Sequence, residues 1–205
     1  IKYVKINDRD TTMHVEFIIP SETFTRMAKC AGDPNRPFLY CVRLEYRKGR
    51  YYVITSNSWV MAVQYLGDVT GPDAAVNVTI GRDDWMAYYN AQTDLVFNWY
   101  PGLALTVNGH NAPFTPDNEP KFAEWWNLFP DALPRVDKGF LYFHSEYFQT
   151  LCDTSPTGHI CMPEVIDNTK AVICRDSNDP SWVGLFVASD KAKTSKPATR
   201  PEWLP

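Results

Sequence analysis

The sequence predicts an α+β fold, in which antiparallel sheets are built from a repeated unit of one strand, one short helix and several further strands. Three observations predict it. Apolar and polar residues alternate over many short stretches, the pattern of half-buried strands. Only one short stretch in each group carries helical spacing. The same order recurs three times, from near Thr12, Ala75 and Phe140, and a period of about 60 residues is too long for a solenoid unit.

In the first copy, Met13, Val15, Phe17 and Ile19 alternate with His14, Glu16 and Ile18, so residues 12–19 read as a strand. Pro20 ends it, and Ser21 is expected to cap a helix in which Phe24, Met27, Ala28 and Ala31 recur at helical spacing. Gly32, Asp33, Pro34 and Asn35 stop that helix. Strands are expected over 38–46, 50–56 and 59–66, the first two joined by a tight turn at Arg47, Lys48 and Gly49. The second copy predicts a strand at 75–80, a helix at 82–91 and strands at 94–100 and 103–107 around Pro101 and Gly102. His110 and Asn111 read as a turn. Residues 113–126 are Pro-rich and have no clear period. The third copy predicts a strand at 140–143, a helix at 145–153 with Phe148, Leu151 and Cys152 on one side, and strands at 159–162, 171–175 and 182–188. Two half-repeats thus fill 1–137 and a third fills 138–188. Residues 189–205 form a tail rich in Lys, Thr and Pro, whose Trp203 and Leu204 are expected to dock in an apolar groove.

The chain has 205 residues, and its 44% of hydrophobic and 14% of aromatic side chains are ample for a packed core. Twenty basic against 24 acidic residues leave a net charge of −4, so any contact with nucleic acid must come from a local patch. No apolar run approaches the roughly 20 residues that span a bilayer, and the first residues do not read as a signal peptide. A cytoplasmic protein without a membrane partner is expected. The scattered cysteines, Cys30, Cys41, Cys152, Cys161 and Cys174, suit reduced and buried thiols better than a disulfide framework. Cys152, His159, Cys161 and Cys174 do not have the spacing of a zinc knuckle, so no metal is expected. No Gly-rich phosphate loop, nucleophile elbow or HExxH motif is present, and Asp83-Asp84 suits a helix start, where acidic groups favour the dipole. No catalytic residue and no cofactor are therefore nominated, and a non-enzymatic binding protein is expected. Phe122, Trp125, Trp126 and Phe129 are spaced by three and four. They fit either a helical turn packed on the core or an exposed anchor for a partner.

Four stretches resemble the bacterial DNA sliding clamp, the beta subunit of DNA polymerase III. Arg36-Pro37-Phe38-Leu39-Tyr40-Cys41-Val42-Arg43-Leu44-Glu45 is similar to the clamp segment that follows the first helix of a domain. The run from Tyr52 to Val63 resembles the strand pair around the clamp's TDGHR motif, although Ser56, Asn57, Ser58 and Trp59 stand in its last four places. Phe129-Pro130-Asp131, with Pro134 and Val136, looks like the crossing between the second and third clamp domains. The run from Phe140 to Leu151 resembles the opening of the last half-domain, and Trp182 to Val187 its closing strand.

The resemblance implies a DNA-clamp-like fold whose short helices line a DNA channel and whose sheets face outward. It implies double-stranded DNA as a partner, and a DNA polymerase or other replication protein held through a short peptide motif. The function implied is that of a processivity factor; the alternative is an interaction module that does not encircle DNA and binds or mimics a replication partner. Arg26, Lys29 and Arg82 are the DNA-facing cations it implies. Thr55, Ser58, Trp59, Val60, Pro130, Val136, Leu185 and Val187 are the implied walls of the peptide pocket. Three half-domains, where a ring subunit has four or six, suggest a reduced, phage-like version. They leave a sheet edge and a helix face unsatisfied. Either the third copy packs on the first two or it pairs with another chain, and a homo-oligomer is expected.

Overall fold

The computed structural model describes residues 3–4, 15–32, 35–36, 39–68, 77–84, 94–100, 104–112, 115–116, 124–128, 144–166 and 171–187. The alternating stretches become strands because each has apolar side chains to bury, and the central strands are buried on both faces. After β1 (Tyr3–Val4), the first copy holds β2 (Val15–Ile19), α1 (Ser21–Ala28), β3 (Cys41–Arg47), β4 (Arg50–Ser56) and β5 (Val60–Asp68). The second holds β6 (Asn77–Gly81), a helical start at 82–84, β7 (Leu95–Tyr100), β8 (Ala104–Val107), β9 (His110–Ala112) and β10 (Thr115–Pro116). A 3-10 turn at Trp125–Leu128 precedes the third copy, which holds α2 (Ser145–Thr154), β11 (Ile160–Ile166), β12 (Ala171–Asp176) and β13 (Trp182–Val187).

The first two copies exchange their opening strands. β2 pairs antiparallel with β7, Phe17 opposite Phe97, while β6 pairs antiparallel with β3, Leu44 opposite Val78. Each copy thereby completes the sheet of the other. The third copy joins the first edge to edge: β13 pairs antiparallel with β5, Leu185 opposite Met61. The result is a five-stranded sheet in the order β1-β2-β7-β8-β9 and an eight-stranded sheet in the order β10-β6-β3-β4-β5-β13-β12-β11. Of the two alternatives open in the sequence, the third copy packs on the first.

α1 and α2 touch each other and lie on one face of the eight-stranded sheet, α1 against β3 and β4, α2 against β5 and β13. The main core lies beneath them. Phe24 and Met27 of α1, Leu151 of α2, and Val42, Val53, Ala62, Val172 and Phe186 of the sheet are all buried in it. Phe24 also stacks on Phe97 at 5.1 Å, which ties α1 to the five-stranded sheet. On the opposite face Ile54, Met61, Val63, Ile173 and Leu185 form a second cluster under Trp125. α2 sits close because Gly184 has no side chain: a Cβ there would lie 2.6 Å from Leu151 Cδ2.

Several expectations are corrected. Ser21 is not the helix cap; Pro20 holds that position without a side-chain bond, and Ser21 is the first helical residue. His110 and Asn111 open β9, because Asn108 and Gly109 take the two positive φ angles, 50° and 80°, and turn the chain one step earlier. Lys48 and Gly49 do the same between β3 and β4, as expected from sequence. Cys30, Cys41 and Cys174 are buried, and burial pushes their thiols up to about 12, but Cys161 is exposed. Of the aromatic cluster, Trp125 is core, with Tyr52 tilted against it at 5.1 Å. The strand at 140–143, the helix beyond residue 84, the Pro101-Gly102 turn and the tail lie outside the described residues. No helix among the described residues is long and apolar enough to cross a membrane.

Candidate functional site

The helical residues carry charges of both signs. On α1, Glu22 and Lys29 are exposed. Arg26 is half-buried, and its Nη2 donates 2.9 Å to Gln64 Oε1 on β5. Burial lowers its pKa, against the opposing pull of Glu22, Asp179 and Asp176. Arg82 lies with its guanidinium carbon 5.6 Å above the ring of Tyr40, whose hydroxyl donates 2.8 Å to Asp83. On α2, Glu146, Gln149 and Asp153 face solvent, and the helix contains no basic residue. The described helical residues with Lys29 therefore hold five acidic groups, Glu22, Asp83, Asp84, Glu146 and Asp153, against Arg26, Lys29 and Arg82.

A polar network joins the first and third copies beneath the helix-bearing face. Gln64 Nε2 donates to Ser181 Oγ, and Ser181 Oγ donates to Asp179. Beside it, Asp176 accepts from Ser155 Oγ, from Thr157 N at 2.9 Å, and from Asn178 N at 2.8 Å and Asp179 N at 3.0 Å. Burial alone would raise the Asp176 carboxyl; the donors outweigh it and hold the group well below the usual carboxylate range.

The turn between β4 and β5 meets the first turn of α2 at the edge of the same face. Ser58 holds a φ of 78°, unusual for a residue with a side chain. Asn57 Oδ1 accepts from Trp59 N at 3.1 Å and Val60 N at 2.8 Å, and Arg36 Nη1 donates 3.2 Å to Ser58 Oγ. This bracing presents Trp59, which is 54% exposed. Its ring lies parallel to that of Tyr147, 6.1 Å away at 10°, and His144 tilts on Tyr147 at 5.3 Å. Gly32, Asn57, Trp59, Glu146, Tyr147 and Thr150 line an open concavity of about 320 Å³.

No family model matches the sequence, and no curated relative does. Solved structures do match. DNA polymerase III subunit beta from Borrelia burgdorferi is similar with a TM-score of 0.66 at 9% identity, over 91% of this chain and 66% of that one. The DNA polymerase sliding clamp from Pseudomonas aeruginosa is similar with a TM-score of 0.65 at 9% identity, over 90% and 68%. The beta clamp of H. pylori is similar with a TM-score of 0.69 at 6% identity, over 91% and 68%. The chain has the DNA sliding-clamp fold. It spans about two thirds of the length of the clamp subunits it matches, and at this identity the likeness concerns the fold.

Within the clamp fold the residues expected to wall a peptide pocket are distributed over both faces of the eight-stranded sheet. Thr55 and Val60 are buried on the helix side, where Cys30 Sγ approaches the carbonyl oxygens of both. Leu185 belongs to the opposite cluster, under Trp125. Ser58 and Trp59 stand at the edge, in the turn. Val187 ends β13, opposite Ala171, and Pro130 and Val136 lie outside the described residues. The DNA-facing expectation brings Arg26 and Lys29 together on α1, with Arg26 engaged by the sheet and Lys29 exposed. Sequence reasoning read Glu146 only as an acidic residue of its helix, and it passed over Tyr147 and Asp176 as site residues. Tyr147 was read only as part of a helix, and nothing local to Asp176 signals that five donors converge there.

Proposed function

We propose that this clamp-fold chain is a sliding-clamp-like processivity factor, a tether that holds a replication protein on double-stranded DNA without catalysing a reaction. Residues 1–137 act as one clamp-like domain of two half-repeats and 138–188 as a third half-repeat that extends it. The observation that carries the reading is the continuous eight-stranded sheet across the copies, with α1 and α2 side by side on one face. That arrangement extends a wall by repetition, and in this proposal further copies of the same joint close a ring. Lys29, Arg26 and Arg82 are the DNA contacts in this proposal, and Thr55, Ser58, Trp59, Val60, Pro130, Val136, Leu185 and Val187 frame the partner's peptide.

A second reading is favoured by the charge of α2. Phosphate contacts need basic side chains, and α2 presents Glu146 and Asp153 instead. On this reading the clamp fold serves as an interaction module that does not encircle DNA and binds or mimics a replication partner. Retention on circular duplex DNA at micromolar protein and low salt decides between them. The processivity reading expects retention on closed circles, loss on linearisation, a steep fall with salt, and weaker retention of Lys29→Glu. Equal behaviour of circles and linear DNA, or no binding, removes it and leaves the second.

A further inference from the structure

We propose that the concavity between the β4–β5 turn and α2 receives an arginine side chain from a partner peptide. The proposal deepens the partner-binding half of the function above and rests on it. Three observations converge. The first is a held aromatic platform: Trp59 is more than half exposed, yet its backbone is braced by Asn57 and its ring stacks on Tyr147. The second is a carboxylate in the same wall, since Glu146 lines the concavity and has no ion pair among the described residues. The third is sign: α2 holds Glu146 and Asp153 and no cation.

A guanidinium meets all three. It is planar and weakly hydrated, so it stacks on an indole, and its fork of donors matches a carboxylate. A leucine side chain would desolvate Glu146 without pairing it. A nucleobase would stack on Trp59, but its phosphates would meet the Glu146 carboxylate in the same wall. The geometry therefore selects a cationic, planar group over an apolar or a nucleic-acid one.

The test is a titration of the full chain, off DNA, with an acetylated pentapeptide carrying a central arginine between glycines, and with matched peptides carrying leucine or glutamate. The readout is the indole N–H signal of Trp59 by NMR, identified by its loss in Trp59→Phe. The arginine peptide is expected to move that signal to saturation, and the other two to leave it in place. With a fluorescent arginine peptide, Glu146→Gln should weaken binding about fivefold and Trp59→Ala at least as much. Both side chains are exposed, so neither variant should lose the fold, and the peptide series on the wild type stands if one does. An equal shift with the leucine peptide, a shift with oligothymidylate, or no shift with arginine overturns the proposal. Because no DNA ring is involved, failure here is distinguishable from failure of retention on circles.

Discussion

At the scale of single residues, the clearest dependence is on Asp176. The residue is 5% exposed, and its carboxylate gathers the Ser155 hydroxyl, Thr157 and two backbone N–H groups of the β12–β13 turn. Hydrogen bonds to a charged acceptor are the stronger kind, so Asp176→Asn should cost about 2 kcal/mol at neutral pH in denaturant titrations. The sign of the pH effect follows from its lowered pKa. The stabilisation is complete above the unfolded value of about 3.9 and is lost as pH falls toward the folded one. The melting temperature of the wild type should therefore drop more steeply from pH 5 to pH 3 than that of Asp176→Asn; parallel curves would contradict this. None of this was legible in the sequence, where Asp176-Ser177-Asn178-Asp179 is an ordinary polar turn. By contrast, the burial of Phe24, Met27 and Ala28 was legible, because helical spacing alone puts them on one face. Trp59 was singled out because it departs from the clamp motif, but its parallel partner Tyr147 is 88 positions away, beyond the reach of any local pattern.

At the scale of elements, strands over 50–56 and 182–187 were readable because alternation and flanking turns mark both ends. β9 was missed because His110 and Asn111 were read as the turn, whereas Asn108 and Gly109 have the left-handed conformation. Neighbouring elements that meet across copies were not readable at all. The contact of α2 with β13 depends on Gly184, whose added Cβ would also lie 2.6 Å from Trp182 Cη2. Gly184→Ala should cost about 2 kcal/mol by overpacking. Leu151→Ala should cost about 3 kcal/mol through the cavity it leaves. The double variant should be more stable than the sum of these losses predicts, because the new methyl enters space vacated by Leu151. Denaturant midpoints of the four proteins measure the coupling, and strict additivity would mean that the two side chains do not share that space.

At the scale of the whole molecule, the joints between copies were not legible. Three copies of strand, helix and strands are visible in the spacing of apolar residues. Which edge meets which is decided by long-range pairing, here of β13 with β5. Among the described residues β11 closes one end of the eight-stranded sheet with no outer partner. An open edge of this kind is a template for another chain, so light scattering at micromolar concentration should give a homo-oligomer, and a monomer would count against ring assembly. The exchange of opening strands has a consequence during synthesis. Val15–Ile19 emerges from the ribosome some 80 residues ahead of its partner Leu95–Tyr100, a wait of several seconds at about 5–20 residues per second. β5 waits longer still, for Trp182–Val187. The nascent chain must therefore carry unpaired strand edges until Trp182–Val187 has emerged, and through that interval those edges are open to pairing with another chain.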